Sequence, residues 1–236
     1  MKKHMKRMAA PRRWPVPRKV SRWVMKPRAG PHRKEESMPL AMVLRDMLGA
    51  CDNFREAMFI IGGRGVKVDG RVVTDDKYPV GLMDVVTLVE AKESYRLLLD
   101  YKGRLMLVPI EEKESSWKLV RIDDKSVVAG GKVQLNLHDG RCILLPKDQY
   151  RTGDVLKIEL PSQRIIKSFK LDKGSLALLT GGSHPGSIQT IEEYRLRRGS
   201  GSNTVTFKEG FSTVKENVFV VGDKTPEIRL AEAKAL

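Results

Sequence analysis

The stretch MFIIGGRGVKVDGRVV, residues 58–73, changes from helical to extended periodicity within a few positions. Its first four residues complete an apolar helical pattern, which Gly62-Gly63 then ends. Val66 and Val68 alternate with polar residues up to Asp69-Gly70, a pair that favours a two-residue hairpin turn. The stretch therefore predicts a short helix that is followed at once by a small β-hairpin.

Two helices are predicted before this hairpin. Ser37 is a suitable N-cap for the first, and its apolar residues recur at helical spacing until Gly49: Leu40, Val43, Leu44, Met47 and Leu48. The second is expected to begin at Asp52 or Asn53 and to bury Phe54, Ala57, Met58 and Ile61. Beyond the hairpin, strands are predicted around Tyr78 and Val80 and over residues 85–89.

Basic residues are spread across these helices and the hairpin: Arg45, Arg55, Arg64, Lys67 and Arg71. The arrangement resembles the alpha-L RNA-binding module of bacterial ribosomal protein four, some pseudouridine synthases and tyrosyl-tRNA synthetases. The form GLMDV at 81–85, with KKHMKRMAAPRRW, GPHRKEESMPL and VLRDMLG upstream, resembles one family in particular. This is the archaeal and eukaryotic small-subunit ribosomal protein number four, the S-four-e family, and the resemblance implies that the module binds RNA.

The segment from Tyr95 to about Leu171 predicts only strands and turns. Strands are expected over residues 95–101, 104–110, 117–122, 133–137 and 142–145, around Leu156, Ile158 and Leu160, and over 165–171. So many short strands indicate an antiparallel β domain. The S-four-e family has a central β domain at this position.

Residues 172–191, DKGSLALLTGGSHPGSIQTI, resemble the KOW motif of small SH3-like barrels. A strand is expected over 175–180, and the loop glycines would let a ribose-phosphate chain approach the backbone. The family usually has a basic residue and a glycine where this chain has Ser187 and Gln189, so RNA contact by the loop stays open. It also stays open whether nearby cations contact RNA or are only solvated: Arg195, Arg197, Arg198 and Lys208. The last ten residues, 227–236, predict a short helix.

The first 34 residues carry almost all of the net charge of +15. They contain 13 of the 44 Lys and Arg residues and no Asp or Glu, which leaves 31 basic and 29 acidic residues in the rest of the chain. Prolines interrupt this leader, so we predict an extended or irregular arm. Its cations can neutralise phosphates, and the indoles of Trp14 and Trp23 can stack on unpaired bases. We therefore expect the arm to bind RNA and to become ordered on contact.

The candidate RNA-binding residues lie in the arm and in the alpha-L-like segment. They are Lys2, Lys3, Lys6, Arg7, Arg12, Arg13, Trp14, Arg18, Lys19, Arg22, Trp23, Lys26, Arg28, His32, Arg33, Lys34, Arg45, Arg55, Arg64, Lys67 and Arg71. Other interpretations of the arm are a targeting peptide, a solvated disordered tail or a polybasic lipid-binding segment. The single serine and the lack of an apolar core argue against a targeting peptide, and the two tryptophans argue against a solvated tail. The prolines argue against lipid binding, because they prevent an amphipathic helix.

Motifs for catalysis and for metal binding are weak. His4, His32, His138 and His184 are scattered and have no second His or Cys at helical spacing, and Gly-Gly-Arg-Gly at 62–65 lacks the Lys and Ser/Thr of a P-loop. Cys51 and Cys142 stand 91 positions apart, which is typical of a reduced intracellular compartment. No run of about eighteen apolar residues is present. We expect no catalytic residue, no metal, no cofactor, no small-molecule substrate and no membrane association.

One enzyme class can be tested directly, because pseudouridine synthases often carry the alpha-L module. Their nucleophile is an Asp in a Gly-Arg-Leu-Asp context. This chain has Gly103-Arg104-Leu105, but Met106 follows, and a thioether cannot replace the carboxylate. The module alone therefore indicates RNA binding and not a reaction.

The sequence as a whole predicts a multidomain α+β protein. The segments are a basic arm (1–37), a small α/β alpha-L RNA-binding module (38–93), a central antiparallel β domain (94–171) and a C-terminal SH3-like KOW barrel with its tail (172–236). The expected function is a structural, non-enzymatic constituent of the cytoplasmic small ribosomal subunit, acting in translation with small-subunit ribosomal RNA and neighbouring ribosomal proteins as partners. The alternative is a free translation or transcription factor that uses the KOW-like barrel for protein contacts.

Overall fold

The computed structural model describes residues 4–199 and 201–229, which form mostly antiparallel β-sheets with a few short helices. The strands are β1 (Met5–Lys6), β2 (Trp23–Val24), β3 (Ser37–Pro39), β4 (Val66–Val68), β5 (Arg71–Val72), β6 (Pro79–Gly81), β7 (Val85–Leu88), β8 (Glu93–Leu99), β9 (Leu105–Ile110), β10 (Trp117–Val128), β11 (Lys132–Leu137), β12 (Cys142–Leu145), β13 (Val155–Glu159), β14 (Ile165–Phe169), β15 (Leu176–Leu179), β16 (Ile188–Arg195), β17 (Thr204–Phe207), β18 (Ser212–Val214) and β19 (Val218–Gly222). The helices are α1 (Leu40–Met42), α2 (Phe54–Gly62) and α3 (Glu112–Ser115); a π-helical turn (Val43–Met47) continues α1, and 3₁₀ turns cover Arg7–Ala9 and Lys215–Asn217.

The described chain divides into two compact units. The first comprises the residues up to 98 together with 104–118, and the second comprises 99–103 and the residues from 119 onward. The predicted four-segment division at 37/38, 93/94 and 171/172 stays a prediction. The sheet of the first unit runs across position 93/94, because β8 begins there and pairs with β7.

The helix and hairpin predicted from residues 58–73 are confirmed in the first unit. Asp69 and Gly70 have φ angles of 51° and 75°, the left-handed values that a tight two-residue turn between β4 and β5 requires. The hairpin lies at one edge of a five-stranded sheet with the order β5-β4-β7-β8-β9. α2 ends at Gly62, directly before this sheet begins.

The two predicted helix starts had different outcomes. Asn53 caps α2 as expected, and the Glu56 carboxylate accepts the backbone N–H groups of Asp52 and Asn53 at 2.9 and 3.3 Å. The prediction that Ser37 caps the first helix is wrong. Ser37 pairs with Gly81 between β3 and β6, and its hydroxyl donates to the Arg33 carbonyl, so the helix begins after Pro39.

The second unit contains two five-stranded sheets. Strands β11 to β15 lie close to their predicted positions, whereas β10 continues to Val128, beyond the predicted end at 122. The first sheet has the order β12-β11-β10-β13-β14 and encloses a core that includes Val120, Ile122, Leu135 and Ile158. The second has the order β18-β17-β16-β15-β19, and its β15 is the strand expected over 175–180. Of the helix expected over 227–236, residues 227–229 are not helical and the remainder lies outside the described residues.

The described part of the leader is irregular apart from β1, β2 and one 3₁₀ turn, as predicted, but the expectation that it becomes ordered only on contact is wrong. β1 pairs with β2, and the Leu105 amide donates to the Arg13 carbonyl at 2.7 Å. Trp14 is 3% exposed, and its indole Nε1–H donates to the Ser37 carbonyl at 2.6 Å. The leader is therefore packed on the rest of the first unit, and Met5, Val16 and Val24 are among its buried apolar side chains.

Replacing each of the two leader tryptophans should change the stability of the protein by a different amount. Replacing Trp14 with Leu removes buried aromatic surface and leaves a buried carbonyl without its donor, so the free energy of unfolding should fall by about 2–4 kcal/mol. Trp23 is 52% exposed, and Trp23→Leu should change it by no more than about 0.5 kcal/mol. Urea unfolding of the full chain checks both, and equal losses in the two variants would contradict the buried position of Trp14.

Candidate nucleic-acid interface

Within the described part of the leader, six cations have exposed side chains. They are Lys6, Arg12, Lys19, Arg22, Arg28 and Arg33. Arg13, Arg18, Lys26 and Lys34 are half-buried, and Lys2 and Lys3 lie outside the described residues. Arg28 pairs with Asp75 at 2.9 Å on the surface, where a phosphate can replace the carboxylate. Exposed guanidinium and ammonium groups are accessible to anions, so the six cations can contact phosphates without unfolding the leader.

Trp23 forms a small exposed stacking group with its neighbours. The guanidinium of Arg22 lies 5.2 Å from the centroid of the Trp23 ring, and the His4 ring lies 5.9 Å from it. One indole is thus presented to solvent beside a cation, an arrangement suited to an unpaired base and its phosphate.

Three candidate residues point into the protein. Arg7 is 6% exposed, and its guanidinium donates to the Pro17 carbonyl at 2.5 Å and to the Ser21 hydroxyl at 2.8 Å. Trp14 and His32 are buried as well. In this conformation the three side chains are not available to RNA, and they hold the leader in its folded path.

His32 belongs to a cluster of four buried charged side chains, which we call the buried ion cluster: His32, Asp69, Asp84 and Lys118. Lys118 Nζ lies 2.7 Å from Asp69 Oδ2 and 2.9 Å from Asp84 Oδ1, and His32 Nε2 lies 2.9 Å from Asp84 Oδ2. The backbone amides of Val85 and Gly81 donate to Asp69 Oδ1 and Asp84 Oδ2. The cluster therefore joins the leader, the hairpin turn, the GLMDV turn and the start of β10.

The electrostatics of the buried ion cluster depend on complete pairing. Burial alone raises the pKa of Asp84, but the charges of His32 and Lys118 and two hydrogen bonds outweigh it and hold that pKa well below its ordinary value. Two carboxylates face one ammonium group, and the His32 imidazole gives Asp84 a second partner. Gly81 lies against the His32 imidazole so closely that any Cβ there would collide with the ring.

The sequence signals for this cluster were incomplete. The sequence pattern indicates Asp69 only as a turn residue and Asp84 only as part of the GLMDV motif, and it assigns no role to Lys118. A lysine inside the apolar pattern of a strand was the one available signal, since lysine is almost never fully buried unless it is paired.

The cations of the alpha-L-like segment are mostly accessible. Arg55, Arg64 and Arg71 are exposed, and Lys67 is half-buried. Arg45 is engaged within the protein: its guanidinium lies 2.8 Å from a carboxylate oxygen of Asp46 and 3.9 Å from the centroid of the Phe54 ring.

The KOW-like loop of the second unit is packed and not free. Gly186 approaches the Asp100 carbonyl so closely that no side chain fits at that position, and Ser187 Oγ donates to the His184 carbonyl at 2.8 Å. Among the four nearby cations, Arg195 pairs with Glu193 at 2.8 Å. Arg197, Arg198 and Lys208 are exposed.

The described part of the chain has neither a candidate metal cluster nor a membrane-spanning helix. Residues 4–199 and 201–229 contain no group of three or more His, Cys, Asp or Glu side chains that could hold a metal ion. None of the helices within the same ranges is long and apolar enough to span a membrane.

Two family models match this chain, one over the leader and the other over a segment rich in strands. Residues 1–35 match the model of the RS4NT (NUC023) domain, and residues 91–165 match the model of ribosomal family S4e. A protein of Methanosphaera stadtmanae named small ribosomal subunit protein eS4 is 47% identical over 97% of this chain and 96% of its own length. This chain belongs to the ribosomal S4e family.

Other members support the same assignment. An eS4 protein of Methanocaldococcus jannaschii is 46% identical over 97% of this chain and 98% of its own length. The crystal structure of 30S ribosomal protein S4e from Thermoplasma acidophilum superposes with a TM-score of 0.71 at 37% identity, covering 80% of this chain and 97% of that one. The predicted resemblance to the S-four-e family is confirmed, and since the family consists of ribosomal proteins, so is the prediction that the chain is not an enzyme.

Removing the ammonium group of the buried ion cluster should be strongly destabilising. Lys118→Met removes the buried ammonium group that pairs with Asp69 and Asp84. Because the two carboxylates stay buried, the free energy of unfolding should fall by about 3–5 kcal/mol. The matched control is Arg28→Met, which breaks the exposed Arg28–Asp75 ion pair and should cost at most about 1 kcal/mol. Urea unfolding measures both, and a loss below 1 kcal/mol for Lys118→Met would contradict the energetic role of the cluster.

The pairing of Asp84 predicts that the free energy of unfolding depends on pH. Because its folded-state pKa lies below the unfolded value of about 4, its stabilisation is fully present above pH 4 and is lost as the pH falls further. The free energy of unfolding should therefore decrease between pH 4 and pH 2, and the decrease should be shallower in Asp84→Asn, which cannot take up that proton. Equal slopes in the two proteins would show that Asp84 is not paired in this way.

Proposed function

We propose that this protein is a structural constituent of the small ribosomal subunit that binds and stabilises small-subunit ribosomal RNA during translation. The observation that carries the proposal is the leader, in which six exposed cations and an exposed indole lie on a segment free of acidic residues in a chain of the S4e family. The relatives' names place those proteins in the small subunit, and we extend that location, in the cytoplasm, to this chain.

The proposed contacts divide into two groups. The exposed leader cations would neutralise phosphates and Trp23 would stack on a base, while Arg55, Arg64, Lys67 and Arg71 would contact RNA from an alpha-L-like module. Arg7, Trp14 and His32 would act indirectly by holding the leader in place. The succession of α2 and the β4–β5 hairpin supports the alpha-L assignment, and the β15–β16 loop within a five-stranded sheet supports the KOW barrel.

A folded leader changes the energetics of the proposed binding. An arm that became ordered only on contact would lose conformational entropy on binding, whereas a leader already folded on its own protein loses little. The RNA-binding surface is then largely preformed, and neighbouring ribosomal proteins would meet a defined surface.

The proposal predicts a steep dependence of RNA binding on salt that depends on the leader. In a variant with Gln at Lys6, Arg12, Lys19, Arg22, Arg28 and Arg33, the slope of log affinity against log salt should become shallower by about 4, since each contact contributes about 0.7 on partly single-stranded RNA. Trp14 and His32 are retained, so the leader keeps its folded path. Filter binding to purified small-subunit ribosomal RNA over a salt series provides the measurement.

A matched control carries the same charge change in the second unit. Gln replaces six other exposed cations: Lys132, Lys147, Arg151, Arg164, Lys170 and Lys173. This control should retain most of the wild-type slope. If both variants lost the same slope, binding would depend on net charge alone and the leader would have no special part in it.

The second candidate function is a free translation or transcription factor with the KOW-like barrel as its protein-binding part. The exposed cations of the β16–β17 hairpin, Arg197 and Arg198, are the feature that favours it. Washing small subunits at high salt separates the two: a structural constituent sediments with the subunits, and a factor is released. Release at moderate salt would favour the factor over the proposed structural role.

A further inference from the structure

We propose that the exposed face of α2 around Phe59 binds an unpaired RNA nucleobase. The inference rests on the proposed RNA-binding function and adds a binding site to it. Phe59 is 83% exposed and Met58 is 45% exposed, although both belong to a short helix whose other face is buried at Ala57 and Ile61. A large aromatic side chain left this exposed on a half-buried helix is a candidate contact for a ligand.

The phenyl ring borders an open cavity of about 450 Å³, which is large enough for a small planar ligand. Its lining comes from Ala50, Cys51, Arg55, Glu56, Phe59 and Ile60. The cavity thus combines one exposed aromatic ring with a guanidinium group at its edge. RNA-binding proteins use the same combination for a splayed-out base and its phosphate.

No side chain of the described residues covers the helix surface at Gly62 and Gly63, which follow Phe59. Gly62 and Gly63 follow Phe59 by three and four residues, so they lie on the same face of the helix, and Arg55 lies one turn before it. A Cβ at Gly62 would have no atom within 4 Å, and the position is therefore open to solvent. A base stacked on the phenyl ring meets no side chain at Gly62 or Gly63.

Two free guanidinium groups near this face can pair with an anionic ligand. Three acidic side chains also lie near the cavity: Glu56 accepts the amides of Asp52 and Asn53, Asp46 pairs with Arg45, and Asp52 is exposed to solvent. Arg55 and Arg64 have no side-chain partner within the described residues, and both are exposed. Free guanidinium groups thus lie before and after the aromatic ring, which suits a base with its flanking phosphates better than an apolar protein segment.

The first test measures affinity with two surface variants. Phe59→Leu keeps apolar area but removes the aromatic face, and Gly62→Gln covers the bare surface without straining the backbone. Each should lower the affinity of the full chain for purified small-subunit ribosomal RNA about tenfold at fixed salt, with the salt slope unchanged. Tyr101→Leu, which alters another exposed aromatic residue, is the matched control and should bind as the wild type does.

The second test identifies the occupant. A photoreactive benzophenone analogue of phenylalanine at position 59, in protein assembled into small subunits, should cross-link to an unpaired nucleotide. A cross-link to a ribosomal protein or to a base-paired nucleotide would overturn the inference, as would variants that bind within twofold of wild type. Wild-type protein without salt-dependent RNA binding would instead refute the proposed function, so the two failures are distinct.

Discussion

The pairing of Lys118 with Asp69 and Asp84 is the constraint on which the first unit depends. Three charged groups without water around them are stable only as a complete set, and the distances of 2.7–2.9 Å show that each carboxylate is paired. The set brings together a hairpin turn, a second turn and the first residues of a long strand. His32 adds the leader to the same set, so one buried arrangement of charges fixes four separate parts of the chain.

Because of this constraint, the leader is a fixed part of the fold and not a flexible basic tail. Its burial of Trp14 and its bond to Asp84 give the exposed cations a fixed spacing in the free protein. Recognition of folded RNA by shape requires cations at defined positions, because phosphate contacts carry no sequence information. The buried residues of the leader thus contribute to recognition without contacting RNA.

Local signals explain which parts of the fold could be predicted. The Asp69-Gly70 turn, the Asn53 cap and the short strands of the second unit depend on neighbours a few residues away, and they lie where the sequence indicates. The folded leader, the role of Ser37 and the buried ion cluster depend on contacts between residues far apart in the sequence. The separation is 23 positions for Trp14 and Ser37, 34 to 52 within the ion cluster, and larger still for Arg13 and Leu105. Prolines and uniform charge in the leader favoured an extended arm, because no local pattern reveals where a lone tryptophan is buried.

The concentration of cations in the folded leader affects the unbound protein. Like charges held on one scaffold repel one another, and no acidic residue within the first 34 positions offsets that repulsion. Dissolved ions screen the repulsion over distances of about 10 Å at 0.1 M ionic strength. Raising the ionic strength should therefore stabilise the folded leader of the isolated polypeptide. The same change should weaken the binding of the leader to a polyanion, so folding and assembly respond to ionic strength in opposite directions.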